Sequence, residues 1–295
     1  MNTHGRPELR SGPTASRHFD ALGFTLEGVS VAGVVTWLTV PQWSLAIDCG
    51  AVPAQVVRCR VLALTHAHMD HAGGLGTWLA LRRLNGFGHS TVYAPTAAVR
   101  ALRAVVETWE QLHRHPFDWE LIGVEAGDRF PLHTGLHLEA LPADHVVPTV
   151  GWAVSRTKHR LIPALHGATG PEIKALKASG HDVNERSEEL LLAVSGDTRA
   201  TMFRDVPQLR EAPVACVETT FLDHRCDQAH ADAAGHCHVD ALLNVPWANQ
   251  TLVPYHISQR YAADVARKIL MAKLGPHVSD VWPLLPDETL PADRR

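Results

Sequence analysis

The sequence predicts one α/β domain with two sheet layers. Three observations lead there. The 295 residues are 45% apolar and 20% charged, enough to bury a full-sized core. Short apolar strand runs alternate with amphipathic helical stretches, with no linker or internal repeat between them. Several of those runs end close to a histidine or an aspartate, side chains that a sheet would deliver to a common edge.

The elements follow in order. Met1 to His18 is polar, broken by Pro7 and Pro13, and lacks the apolar segment of a secretory signal. Residues 1–19 therefore read as a flexible tail before a domain over 20–295. Phe24 to Val40 gives two strands with Gly28 and Gly33 as turn or bulge positions. Ser44–Gly50 and Val61–Thr65 are short buried strands. After Gly73-Gly74 a helix runs through Trp78, Leu81 and Leu84, and Thr91–Ala94 is a strand stopped by Pro95. From Thr96 to His113, Val99, Leu102, Val106 and Trp109 recur in steps of three and four, the mark of an amphipathic helix. Trp119–Val124, Leu136–Leu141 and Val150–Val154 read as strands. The polar, glycine-punctuated stretch 159–189 reads as an excursion from the core with one short helix around Ile173–Lys177. Leu190–Val194, Val214–Val217 and Thr251–Pro254 resume the strands, and a last helix spans about Gln259–Leu274.

Composition excludes several classes. No apolar run reaches eighteen residues, so no membrane-spanning helix is expected. The net charge of −4 leaves no polybasic field, so a nucleic-acid partner would need a local site. Five unevenly spaced cysteines argue against a disulfide framework and for a reducing, cytoplasmic setting. Histidine is the outlier: 20 residues, more than packing requires, point to metal or acid–base chemistry.

The chemistry concentrates directly after the Val61–Thr65 strand, in His66-Ala-His68-Met-Asp70-His71. On a strand-to-helix turn, His66 and His68 can face one centre while Asp70 and His71 face a neighbouring one. Imidazole and carboxylate suit Zn²⁺, and the absence of cysteine argues against a purely structural site. Two metals need further ligands. His145, Asp197 and His256 follow or close later apolar runs, and Asp197 is the natural bridge because one carboxylate can span two cations.

Thr65–His71 followed by Gly73-Gly74-Leu75 resembles the signature of the metallo-β-lactamase superfamily, and His145, Asp197 and His256 match its remaining ligands in order. The resemblance covers roughly Ser44 to Ser258 and implies an αββα sandwich, two mixed sheets flanked by helices, with two Zn²⁺ at one sheet edge. Wide intervals between the later ligands are similar to the ribonuclease Z branch, the tRNA 3′-processing endonucleases. Val217-Glu218-Thr-Thr-Phe221 resembles that branch's His-Glu-Ala-Thr-Phe segment without its leading His. Gly235-His236-Cys-His238, His256-Ile-Ser258-Gln-Arg260-Tyr261 and Val150-Gly-Trp-Ala-Val154 resemble three more of its segments. Gly170–Gly180 resembles the base of its tRNA-gripping arm, in an insertion shorter than a full arm. No glycine-rich opening is recognisable before Ser44.

The resemblance implies a zinc-dependent phosphodiesterase that removes the 3′ trailer of precursor tRNA. Asp70 would serve as ligand and as the base orienting water, and Glu218 with His236 would deliver a proton to the leaving oxygen. It also implies a homodimer in which the 159–189 excursion of one copy grips RNA at the other, through His159, Arg160, Lys174, Lys177 and Arg186. As a bare pattern, Lys174 and Lys177 read first as a solvated helix face. Two other functions compete. A dinuclear zinc hydrolase of small phosphodiesters or cyclic nucleotides suits the acidic charge and the short excursion. A non-enzymatic RNA-binding module is opposed by an intact set of seven ligands.

Overall fold

The computed structural model describes residues 17–286, except 22, 134 and 249. Most of the expected tail thus lies outside the described residues. Its last three positions, 17–19, belong instead to a strand, β1 (Arg17–Ala21), which the polar composition hid.

Among the described residues, two sheets stack face to face. The first runs in chain order through β1, β2 (Phe24–Ala32), β3 (Val35–Val40), β4 (Leu45–Ile47), β5 (Val61–Ala63), β6 (Ser90–Pro95) and β7 (Trp119–Val124). Its β1–β4 half is antiparallel and its β4–β7 half parallel. The second sheet contains β8 (Arg129–His133), β9 (Leu136–Pro142), β10 (Val150–Leu161), β11 (Asn184–Val194), β12 (Val214–Glu218) and β13 (Thr251–Tyr255). After β13 the chain crosses back: β14 (Ile257–Ser258) pairs with β2 of the first sheet, while β15 (Asp280–Val281) closes the second beside β13.

The central strands are buried on both faces, so β4 and β5 read as continuous apolar runs. On β3 the neighbours Trp37 and Leu38 face opposite layers, as the two-residue strand period requires. Leu38 joins Phe24, Ile47 and Tyr93 against Leu138, Trp152, Val194 and Tyr255 of the second sheet. Trp37, Leu62 and Val92 pack outward against Trp78 and Leu79 of the helix Leu75–Leu84 and Val106 of the helix Thr96–His113. On the far side Ala193, Ala215 and Leu252 meet Phe203, Leu209 and Leu270. The result is helix, sheet, sheet, helix: the predicted αββα order.

The 159–189 excursion has a definite form. β10 and β11 stay paired antiparallel from Trp152↔Val194 out to Leu161↔Asn184, past a bulge at Val154/Ser155. Their outer halves leave the core as a ribbon. At its tip Glu172 accepts the Thr169 N–H at 2.7 Å and opens the helix Gly170–Ala178, longer than the Ile173–Lys177 turn expected.

Candidate metal centre

The strand β5 stops at Ala63, and the next turn carries the dense histidine motif into a one-turn helix, Met69–Ala72. That helix is pressed onto the end of β4. The Cys49 N–H donates to the His71 carbonyl at 2.6 Å, and only a glycine fits at position 50, where a Cβ would lie 1.9 Å from the Asp70 carbonyl oxygen. His145 stands on the β9–β10 loop, Asp197 just past β11, and His256 between β13 and β14 with a positive φ of 59°.

All seven expected side chains converge. Ligand atoms of His66, His68, His145 and Asp197 form one group, those of Asp70, His71 and His256 a second, each group with its atoms within 4.8 Å of one another. The groups meet at one oxygen. Asp197 Oδ2 lies 3.2 Å from His256 Nε2, 3.5 Å from His71 Nε2 and 3.7 Å from His66 Nε2. His236 Nδ1 is 4.0 Å from the same oxygen and 3.3 Å from Glu218 Oε1, and its ring stacks on His256 at 5.2 Å. His236 also joins Asp197 and His256 in a third possible ligand group. The remaining cysteines and histidines of 223–240 stay out of the ligand groups. The Cys237 thiol donates to the His238 carbonyl, and the His238 ring is occupied by the Asp223 carbonyl and the Asp240 N–H.

A second layer, which the sequence reading missed, aims the imidazoles. His71 Nδ1–H donates to buried Asp48 Oδ2 at 2.8 Å, while Thr65 donates its hydroxyl to Asp48 and accepts from His66 Nδ1 at 3.0 Å. Across the site Thr220 repeats the device: its hydroxyl donates to Glu218 and lies 3.0 Å from His256 Nδ1. Both times a buried carboxylate, a threonine hydroxyl and an imidazole form a chain that leaves Nε2 facing inward. Asp48 could have been suspected, since it closes an apolar strand just as Asp197 does. Glu218 has a wider part than a partner for His236: it also accepts the Cys237 N–H at 2.7 Å.

The electrostatics suit a cation. Burial and the neighbouring His71 push His66 well below the usual imidazole range. Burial opposes charge on His256, but Asp197, the Asp70 hydrogen bond and Glu218 outweigh it and push it up to about 10. Burial likewise opposes charge on Asp70, yet His256 and His71 hold its carboxyl below the ordinary range. His71 Nε2, His145 Nε2 and Asp197 Oδ1 are buried without a hydrogen-bond partner among the described residues. Buried lone pairs left unpaired are costly, and here they sit in or beside the two ligand groups. The residues fit a metal.

An αββα sandwich with histidine and aspartate clusters at one edge defines a metallo-β-lactamase-type domain. The β-lactamase superfamily domain matches residues 40–257. The tRNase Z TRZ1 of Arabidopsis thaliana is 30% identical over 243 residues, 81% of this chain and 87% of that one. Among solved structures, the metallo-β-lactamase fold protein YhfI of Bacillus subtilis superposes with a TM-score of 0.55 at 13% identity, covering 92% of each chain. The short form of human tRNase Z does so at 0.50 and 16%, covering 92% of this chain and 93% of that one. The chain belongs to the β-lactamase superfamily, and within it to the tRNase Z (ribonuclease Z) family.

Proposed function

We propose that this chain is a metal-dependent endoribonuclease of the ribonuclease Z type that hydrolyses a phosphodiester to remove the 3′ trailer of precursor tRNA. The observation that carries the reading is the convergence of two ligand groups on one oxygen of Asp197, in a chain whose relatives are named tRNase Z and ribonuclease Z. His66, His68, His145 and Asp197 would hold one cation, and Asp70, His71, His256 and Asp197 the other, with nitrogen and oxygen donors favouring Zn²⁺. Bound there, two cations acidify water and neutralise charge on the phosphoryl oxygens.

The protein's own groups supply the rest. Asp70 orients the attacking water and takes its proton; the Gly33 N–H, at the tip of the β2–β3 hairpin, holds its Oδ2 at 2.8 Å. The leaving 3′-oxygen needs a proton, and His236, partly exposed beside the buried ligands and braced by Glu218, is the donor. The ribbon is the local grip that a chain of net charge −4 requires. Along its stem the cations are already paired: Arg186, with Arg129 of β8, to Glu188, and Arg156 and Lys158 to Glu189. Arg160, Lys174 and Lys177, toward the tip, have no ion pair among the described residues and are the phosphate contacts we favour over Arg186.

The homodimer belongs to the same proposal. On the outer helices Leu84, Val105, Trp109 and Leu112 are 46–80% exposed, an apolar face that a second copy would cover. Five buried, free thiols suit a reducing compartment, and no helix among the described residues is long and apolar enough to cross a membrane. The deciding experiment sets precursor tRNA beside a cyclic nucleotide, with and without chelator. Chelator-sensitive release of the trailer is expected. Brisk turnover of the small diester with no tRNA cleavage would hand the function to the small-phosphodiester reading, which the paired stem cations favour.

A further inference from the structure

His145 takes its orienting contact from the main chain of a distant segment. His66, His71 and His256 are tied through Nδ1 to buried side chains. His145 stands on a loop whose next residue, Val146, is 55% exposed, and its Nδ1–H donates to a main-chain oxygen, that of Gly235, at 2.7 Å. Gly235 closes the helix Gln228–Ala234 in the left-handed region (φ 77°) and directly precedes His236. A Cβ there would lie 2.8 Å from His145 Nδ1 and 2.9 Å from Val146 Cγ1.

Arg199, two residues past Asp197, spans the same junction. Its Nη1 donates to Asp144 Oδ1 at 2.5 Å and its Nε to the Asp232 carbonyl at 2.7 Å. Its main-chain N–H donates to the Asp144 carbonyl at 2.8 Å, and the Thr198 hydroxyl accepts the Asp144 N–H at 3.0 Å. Three segments are thereby joined: the loop bearing His145, the loop bearing Asp197, and the helix end leading into His236.

We propose that Arg199 and Gly235 are positioning residues for the His66–His68–His145–Asp197 group: Arg199 clamps the His145 loop against the Asp197 loop, and Gly235 fixes the direction of the His145 ring. This rests on the reading that the two groups hold cations. The Asp70–His71–His256 group hangs on Asp48, Thr220 and Glu218, and none of those contacts involves Arg199. The clamp needs a guanidinium, whose fixed fork reaches a carboxylate and a carbonyl together where a lysine ammonium is a single point. Asp144 is 54% exposed, so the ion pair itself adds little to global stability. Its effect falls on ligand geometry.

The test titrates Zn²⁺ into the metal-free full-length protein against a chromogenic chelator, for the wild type, Arg199→Ala, Arg199→Lys, Asp144→Asn and His145→Ala, with thermal melting of each metal-free form. Arg199→Ala should weaken one equivalent roughly ten- to hundredfold, the same one lost in His145→Ala, and leave the other unchanged. Its metal-free melting temperature should stay near wild type, and raised Zn²⁺ should restore turnover. Arg199→Lys should bind like Arg199→Ala, and Asp144→Asn should move the same way by less. Wild-type affinity for both equivalents in Arg199→Ala, or equal weakening of both with a lowered metal-free melting temperature, overturns the clamp. Should Arg199→Ala not fold, Asp144→Asn decides, since it removes only an exposed charge. A wild-type protein that takes up no zinc overturns the metal reading itself, before any variant is measured.

Discussion

Glu218 and His236 lie 3.3 Å apart, but they answer to different neighbours. Glu218 is fully buried and braces His256 through Thr220; His236 is partly open to solvent. Removing the imidazole should therefore spare the metals. His236→Ala is expected to keep its metal content and to lose kcat on RNA, whose alkoxide leaving group needs a proton, while turnover of a p-nitrophenyl phosphodiester is largely retained. Equal losses on both substrates would remove His236 from the proton-donor role. A second prediction follows from His256. Pushed up to about 10, it carries a proton at neutral pH in the metal-free protein, on the side chain a cation must use. The cation has to displace that proton, so affinity should rise with pH, by roughly tenfold per unit up to the imidazole's own value if one proton is released. Zinc titrations at pH 6.5 and 8 check the sign, and a flat profile counts against it.

At the scale of elements, legibility tracked burial. The helix Thr96–His113 and the strand Trp119–Val124 have the bounds that their apolar spacing predicts. β10 and β11 were readable only over Val150–Val154 and Leu190–Val194, because beyond the bulge neither strand has a covered face to leave an apolar pattern. Short helices such as Met202–Asp205 and Gln228–Ala234 went unread for a related reason, since two turns or fewer give no period to detect. The seven side chains of the two groups were legible as a motif and three strand ends, whereas Thr220 acts through contacts that no spacing encodes. The ribbon also yields a prediction. Replacing residues 163–182 with a short turn should weaken precursor-tRNA binding and flatten its salt dependence, since fewer counterions are released. Turnover of a small phosphodiester should persist, because the ligand groups, Glu218 and His236 lie outside the deleted segment. Unchanged tRNA cleavage would mean that the ribbon is not the grip.

For the whole molecule, the centre joins the two sheets. His66, His68, Asp70 and His71 follow a strand of the first sheet, while His145, Asp197 and His256 follow strands of the second. A cation held by both sets binds only the assembled sandwich, so its binding free energy is added to folding. Chelation should lower the melting temperature, and restored Zn²⁺ should raise it again. At a free metal concentration a hundred times Kd, each site adds about 2.7 kcal/mol. A melting temperature indifferent to chelator would mean that the sheets hold together without help from the centre.

Asp70 and His256, 3.3 Å apart in the folded chain, are separated by 186 residues of sequence. On a ribosome adding about 5–20 residues per second, roughly 10–40 s pass between the appearance of the first and of the second. Until Asp197 is made, the growing chain carries four side chains of the two ligand groups within six residues and neither group complete. For a chain that takes up a metal at these groups, the order of synthesis, and not only the final geometry, therefore sets when a socket is first complete.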